Sequence, residues 1–567
     1  MARTTVPARA GRSAVQSAPW TLVVPLFAAL AVLVALPVGF VVLQAIFPAF
    51  NEGSLAHPMS AVGSTLGDHQ TWSLLGNTLR FGITVAAVSL LLGVPLGTLR
   101  ALYRVPLAGV WDLVFLVPFL IPPYLAAFGW RFLLQPHGYL EQLTGLSLGH
   151  LLFSFGGVAG VMALSVFPVV YFSVSRTLTA MGWRLVDVAH VFGAGPWRSF
   201  VRIAVPLALP AIAASALLTF TMAIEEFGIP AALGPQAGFS VLVASIESRF
   251  SDWPIDLSGA AVLSVLLAAL ALVAFVLQRA LLAGRDFDSN KGKPAASVPH
   301  ELGRWRWIVV GVFCVAACFS TIAPLFSIVA SACIRTLSGG LSLTNLTLAH
   351  FEVLWTGGDG AQALGTSLAL AGATAVLTGA LGFLCSWCVV KSGLPGRSAL
   401  DALSMMPHAL PSIVVGVGLI LAWNLPVWPI TPYNTRGILL LSYSCLLLPY
   451  PIRYVSAALR QIGPSIEAAA RVHGASAGRV VARIVMPLVA PSLISSMMIV
   501  FAIASRELVT SLLLAPSGVQ TAATFAWQAF DQGSVGDGMA MGVLTLMISG
   551  TLLGLAARWL KRFDQPL

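Results

Sequence analysis

A chain of 567 residues in which 57% are hydrophobic and 9% charged is too apolar for a water-soluble protein, where about a quarter of residues carry charge. Its formal net charge of +10 would suggest nucleic acid in a soluble protein. In so apolar a chain the placement of the charges matters more than their sum, and no nucleic-acid partner is expected.

Apolar runs long enough to cross roughly 30 Å of hydrocarbon as helices recur from end to end, without the short alternating segments of a membrane β-barrel. The N-terminal tail, 1–19, carries Arg3, Arg9 and Arg12. The first run, near 20–47, is longer than a signal-peptide core and is expected to remain as an anchor. Five more follow near 74–99, 111–133, 152–175, 207–229 and 258–281, giving a first module over 20–283. Residues 284–304 include Asp286, Asp288, Lys291, Lys293 and Pro294 and read as a flexible cytoplasmic linker. A second module, 305–567, holds runs near 307–332, 363–390, 400–422, 437–459, 488–510 and 537–560. The predicted fold is an all-α polytopic membrane protein of two tandem six-helix modules, about 12 transmembrane helices in all.

Lys and Arg gather in alternate loops, whereas 48–72 and 515–537 contain neither. This asymmetry predicts both termini in the cytoplasm. The six cysteines lie in or beside apolar runs. Cys385 and Cys388 form a C-x-x-C, but it sits within an apolar helix and lacks a second pair, so packing is the predicted role.

The modules are repeats of each other. Leu75-Gly76-Asn77-Thr78-Leu79 recurs as Leu364-Gly365-Thr366-Ser367-Leu368. The prolines Pro118 and Pro122 recur as Pro407 and Pro411, Phe167-Pro168 as Leu448-Pro449, and Glu226 as Glu507. Six spans is an even number, so both modules run in the same direction, related by a pseudo-two-fold axis along the membrane normal. Glu226 and Glu507 fall within or at the end of apolar runs, where a carboxylate is costly and by default functional. They are the translocation-pathway candidates, facing each other to attract a cation or to hold a gate through hydrogen bonds. A structural ion pair with Arg506 or Arg80 is the plain alternative. His57, His69 and His408 are scattered, with His408 at an expected helix break between Pro407 and Pro411. No metal site is assigned.

The loop after the fourth span of each module is long and repeated. Asp187-Val188-Ala189, Gly193, Ile203 and Val205-Pro206 match Ala468-Ala469-Ala470, Gly474, Ile484 and Met486-Pro487. The composition predicts a short helix, a glycine turn and a second short helix ended at the proline. Arg198 and Arg202, and likewise Arg479 and Arg483, stand four apart on one helical face. They could meet an acidic partner or lipid headgroups, and an amphipathic helix resting on the membrane is the plain alternative.

At these residues the chain resembles the permeases of ATP-binding-cassette (ABC) importers, whose signature reads E-A-A, three residues, G, nine residues, I-x-L-P. The resemblance implies a coupling helix fitting a cleft in an ATPase subunit, with Asp187, Ala189, Gly193 and Pro206, and Ala469, Ala470, Gly474 and Pro487, as contact elements. The family's first Glu is Asp187 in one module and Ala468 in the other, where Glu467 stands one position early. No G-x-x-x-x-G-K-[ST] phosphate loop occurs, so the chain itself is expected to be non-catalytic. ATP and Mg are expected on the partner, two ATPase copies per fused chain, with an extracytoplasmic binding protein delivering the substrate. The run Glu225 to Pro230 and its counterpart Arg506 to Leu514 resemble the ferric-iron branch of that family, whose fused relatives for thiamine and aminoethylphosphonate share much of the pattern. The implied location is the bacterial cytoplasmic (inner) membrane. An ion-coupled secondary transporter would also use repeats, broken helices and carboxylates, but would not need paired docking loops.

Overall fold

The structure, a computed structural model, describes residues 20–181, 191–193, 195–282, 300–393, 396–426 and 428–563. The tail 1–19 and residues 284–299 of the expected linker lie outside the described residues. Among those described the chain is helical, with isolated bridges rather than strands. Among the described residues nine helices are long and apolar enough to cross a membrane: Val23–Ile46, His69–Leu102, Phe155–Ala180, Phe200–Glu225 and Leu257–Leu281 in the first module, and Gly303–Ala332, Asp359–Lys391, Gly478–Ala504 and Val535–Trp559 in the second. Three further spans are bent pairs, which brings the total to 12.

The bends explain the proline repeat. Ala108–Leu120 and Pro123–Thr144 meet at 98°, and Arg397–Ala409 and Ser412–Trp423 at 111°. Each break falls at the second of two prolines four apart, Pro122 and Pro411, where the residue before proline is pushed out of helical geometry. The third and ninth spans, expected as single runs over 111–133 and 400–422, are thus sharply broken, and His408 does sit at the break. The modules differ at the next landmark. Pro168 stays inside the helix Phe155–Met181, whereas Arg436–Leu447 and Pro449–Gln461 bend by 43°.

The Asn77-Thr78-Leu79 repeat also has a structural cause. The Thr78 hydroxyl accepts from the Leu242 N–H at 2.9 Å, and the Ser367 hydroxyl accepts from the Ala522 N–H at 2.7 Å. Leu242 and Ala522 open the helices Leu242–Ser251 and Ala522–Asp531. In each module one buried hydroxyl on the second span satisfies an orphan donor at a helix start.

The modules exchange their first helices. Val23, Leu26, Leu30 and Leu33 of the first span pack in one core with Leu370, Leu439 and Tyr443 of the second module. Val309, Phe313 and Ala317 of the seventh span pack with Leu96, Phe115, Phe167 and Tyr171 of the first. Glycine makes the exchange close. A Cβ on Gly129 would lie 3.0 Å from the Pro324 carbonyl oxygen, and one on its repeat equivalent Gly418 2.7 Å from the Pro37 carbonyl carbon. Small residues let membrane helices approach at the backbone in this way. Just before the second module the chain is docked rather than free. Arg104 and His300 pair through their backbones, and Arg104 Nη1 lies 2.8 Å from Glu301 Oε1.

Candidate functional site

In the second module the repeated loop begins with the helix Pro464–Val472, turns at Gly474 with φ +80°, and resumes at Ala477–Val480. In the first module Asp187 and Ala189 lie outside the described residues. From Val191 onward the chain repeats the design, with Gly193 at φ +79° and a helix at Pro196–Ser199. Both turns occupy the left-handed region that glycine enters without steric cost.

One expectation is corrected here: neither second short helix ends at its proline. Ala477–Val480 passes through a π-helical turn, Val481–Val485, straight into the span Met486–Ala504, and Pro196–Ser199 passes through Phe200–Ala204 into Val205–Glu225. Pro206 and Pro487 stand two residues beyond their π turns. The same spacing holds for Pro37 after Ala31–Ala35 and Pro324 after Cys318–Ile322. A π turn shifts the hydrogen-bond register to i→i+5, which lets the helix run on past a residue without an N–H.

The loops present apolar knobs. Val191, Phe192 and Val472 are 85%, 84% and 84% exposed, with Val191 and Val472 each two residues before the turn glycine. Ala469 is exposed beside them and Ala470 half-buried. Arg198, Arg202, Arg479 and Arg483 are exposed and make no ion pair with a described residue. Glu467 differs. Its Oε1 lies 2.8 Å from Lys391 Nζ, with both side chains largely buried, so it braces the loop against the eighth span instead of facing outward.

Glu226 and Glu507 lie where the fifth and eleventh spans give way to short helices, Gly228–Leu233 and Val509–Leu514. Glu226 Oε1 accepts from the Gly228 N–H at 2.8 Å. Glu507 Oε1 accepts from the Thr510 N–H and hydroxyl, both at 3.4 Å. Both carboxylates therefore cap a helix N-terminus, satisfying orphan donors and complementing the dipole. Each short helix packs on the second limb of its module's broken span. A Cβ on Gly228 would come 2.8 Å from the Tyr124 backbone nitrogen, and one on Gly416 would come 2.9 Å from Leu513.

The ion-pair alternative does not describe this site, since no ion pair joins Glu226 or Glu507 to Arg80 or Arg506 among the described residues. Arg506 instead crosses between modules and donates to the Leu120 and Phe119 carbonyls at the first proline break. It lies within electrostatic reach of both glutamates, which are within reach of each other. At the position equivalent to Arg506 the first module has Glu225, whose Oε1 is buried without a hydrogen bond. Sequence reasoning missed the Arg506 contact, although the alignment of Arg506 with Glu225 as opposite charges in a repeat was a visible signal. Trp527 of the second module packs its ring against Phe227, Tyr124 and Phe128 of the first, with centroids 5.6, 6.4 and 5.8 Å apart. Among the described residues no three His, Cys, Asp or Glu side chains group as metal ligands. Cys385 and Cys388 are free, buried thiols on one helix.

Two repeated bundles with broken spans, capped intramembrane breaks and matched loops at one end define a two-module membrane permease. The chain belongs to the binding-protein-dependent transport system inner membrane components, whose family model matches residues 89–285 and 378–563, one segment in each module. It is thus a permease subunit of an ABC importer, in the fused two-module form. The chain is 26% identical over 511 residues to the ferric transport system permease protein of Actinobacillus pleuropneumoniae, covering 88% of this chain and 72% of that protein. It is 24% identical over 488 residues to an Fe(3+)-transport system permease protein of Haemophilus influenzae, covering 84% and 88%. A molybdenum transport system permease protein of Azotobacter vinelandii is 32% identical over 158 residues, 28% of this chain and 70% of that protein.

Proposed function

We propose that this chain forms the translocation pathway of a ferric-iron importer of the bacterial inner membrane, with both termini and both repeated loops in the cytoplasm. An extracytoplasmic binding protein delivers the iron. Two copies of an ATPase subunit, which bind the ATP and Mg, dock one under each loop. The observation that carries the docking role is the repeated loop itself. Two copies present an exposed apolar residue two positions before a left-handed glycine and, beyond it, arginines without an ion pair among the described residues, and the helix after each turn continues into the span that precedes Glu226 or Glu507. A rigid helix from docking loop to glutamate break supplies the link between motor and pathway. Closing the motor shifts the bundle only because the two conformations hold the motor with different affinity. Iron as cargo is supported by the relatives that align along most of the chain.

The glutamates act as gate posts held by hydrogen bonds. Each fixes the short helix that follows its span, and Arg506 ties the second module's post to the break in the first. The test of the assignment is reconstitution with the cognate ATPase and binding proteins loaded with ferric iron, thiamine or a phosphonate. Stimulation of ATP hydrolysis by the iron-loaded protein alone supports the reading. Stimulation by another loaded protein keeps the permease and withdraws iron.

A further inference from the structure

The repeat exposes a site by what one module lacks. In the first module Asp112 is locked: Arg100 Nη2 lies 2.7 Å from its Oδ2 and the Tyr171 hydroxyl donates to Oδ1 at 2.7 Å. Its repeat equivalent is Asp401, but the positions equivalent to Arg100 and Tyr171 are Val389 and Ile452. The second module has lost both partners, and Asp401 makes no side-chain ion pair among the described residues. Asp401 and Ile452 stand instead on the wall of a cavity of about 640 Å³, whose lining also includes Arg279, Arg453, Arg460, Gln278 and His408.

The charge of this cavity is distinctive. Arg453 and Arg460 replace Phe172 and Thr179 of the first module, and Arg279 comes from the last turn of the sixth span, so both modules contribute. None of the three guanidinium groups is ion-paired among the described residues. Asp401 cancels one of the three charges. The cavity lies at the end of the bundle that carries the repeated loops: Arg460 is at the end of Pro449–Gln461, just before the loop helix Pro464–Val472. Apart from Ser456, the rest of the wall, from Leu218 and Phe275 to Ile452 and Ala457, is apolar.

We propose that this cavity binds a phosphate group, clasped by Arg453 and Arg460 from the second module and Arg279 from the first, and carried by an anionic phospholipid or by free phosphate. Guanidinium forks match phosphate oxygens two at a time. Basic pockets between spans at the cytoplasmic face favour anionic headgroups, and the apolar wall suits the start of an acyl chain. A phosphate there would join the sixth span to the helix that leads into the second docking loop. The cytoplasmic location rests on the orientation proposed above, but the binding test does not.

The test uses the full chain purified in detergent. Native mass spectrometry would measure binding of dioleoylphosphatidylglycerol and dioleoylphosphatidylcholine, and thermal unfolding would be followed with inorganic phosphate. Wild type is expected to bind the phosphatidylglycerol preferentially. Arg453→Gln with Arg460→Gln should weaken that binding by about fivefold for each arginine removed, while the Lys pair retains most of it. Arg306→Gln, at the same end but outside the cavity, should change nothing. Stabilisation by inorganic phosphate that is lost in the Gln pair, without lipid preference, would support the site with free phosphate as its source. The proposal is overturned if neither ligand's effect depends on Arg453 and Arg460 in variants that elute as folded protein, or if Arg306→Gln has the same effect as the pair.

Discussion

Glu226 and Glu507 show how a carboxylate can be kept in a buried break between helices without a direct ion pair among the described residues. Each accepts from the opening turn of a short helix, where backbone donors would otherwise be orphaned in a medium without water. Because the interaction is hydrogen bonding rather than net charge, Glu226→Gln together with Glu507→Gln should retain most transport in proteoliposomes. The Ala pair should lose it, each cap contributing about 1 kcal/mol. Equal loss in both pairs would mean that charge is required. Arg506→Met would leave the Phe119 and Leu120 carbonyls unsatisfied, with an expected cost of about 1–3 kcal/mol, visible as earlier thermal unfolding in detergent. The glutamates were legible in the sequence because they repeat and because charge is rare in such runs. The Arg506 contact was not, since its acceptors are main-chain groups more than 380 residues away, freed only once the proline break exists.

At the scale of elements, proline was the signal read both rightly and wrongly. Pro122 and Pro411, each four residues after another proline, mark true breaks, whereas Pro206 and Pro487, each likewise followed by a proline four residues on, follow π turns and lie in helices that run on without a stop. Sequence spacing reports that an N–H is missing; whether the helix stops depends on room to widen by one residue per turn, which comes from packing. The repeated loops were legible in the sequence, but the position of Glu467 was not, because its partner Lys391 belongs to another element. If the apolar knobs fit the motor, Val472→Asp should reduce co-purification of the ATPase while leaving thermal stability within about 0.5 kcal/mol, as for other exposed substitutions. Gly418→Val, by contrast, should destabilise the bundle by about 1–3 kcal/mol, since its side chain would displace the Pro37 backbone.

At the scale of the molecule the exchange of first helices makes the two modules one folding unit. The repeat predicted two modules of six spans, but nothing in a linear pattern says which module a first span packs against. That choice is written in Gly129 and Gly418, whose meaning appears only when the opposite chain segment is present. Residues 20–283 expressed alone should therefore aggregate or be degraded. Coexpression with 300–567 should restore a stable complex in detergent, and stability of the first fragment alone would contradict the exchange.

The most direct test of the central claim is ATP hydrolysis by this chain coexpressed with its cognate ATPase and reconstituted in lipid, with and without an iron-loaded binding protein. A stable complex whose hydrolysis rises when that protein is added is the predicted result; uptake driven by an ion gradient with no ATPase bound would contradict the account.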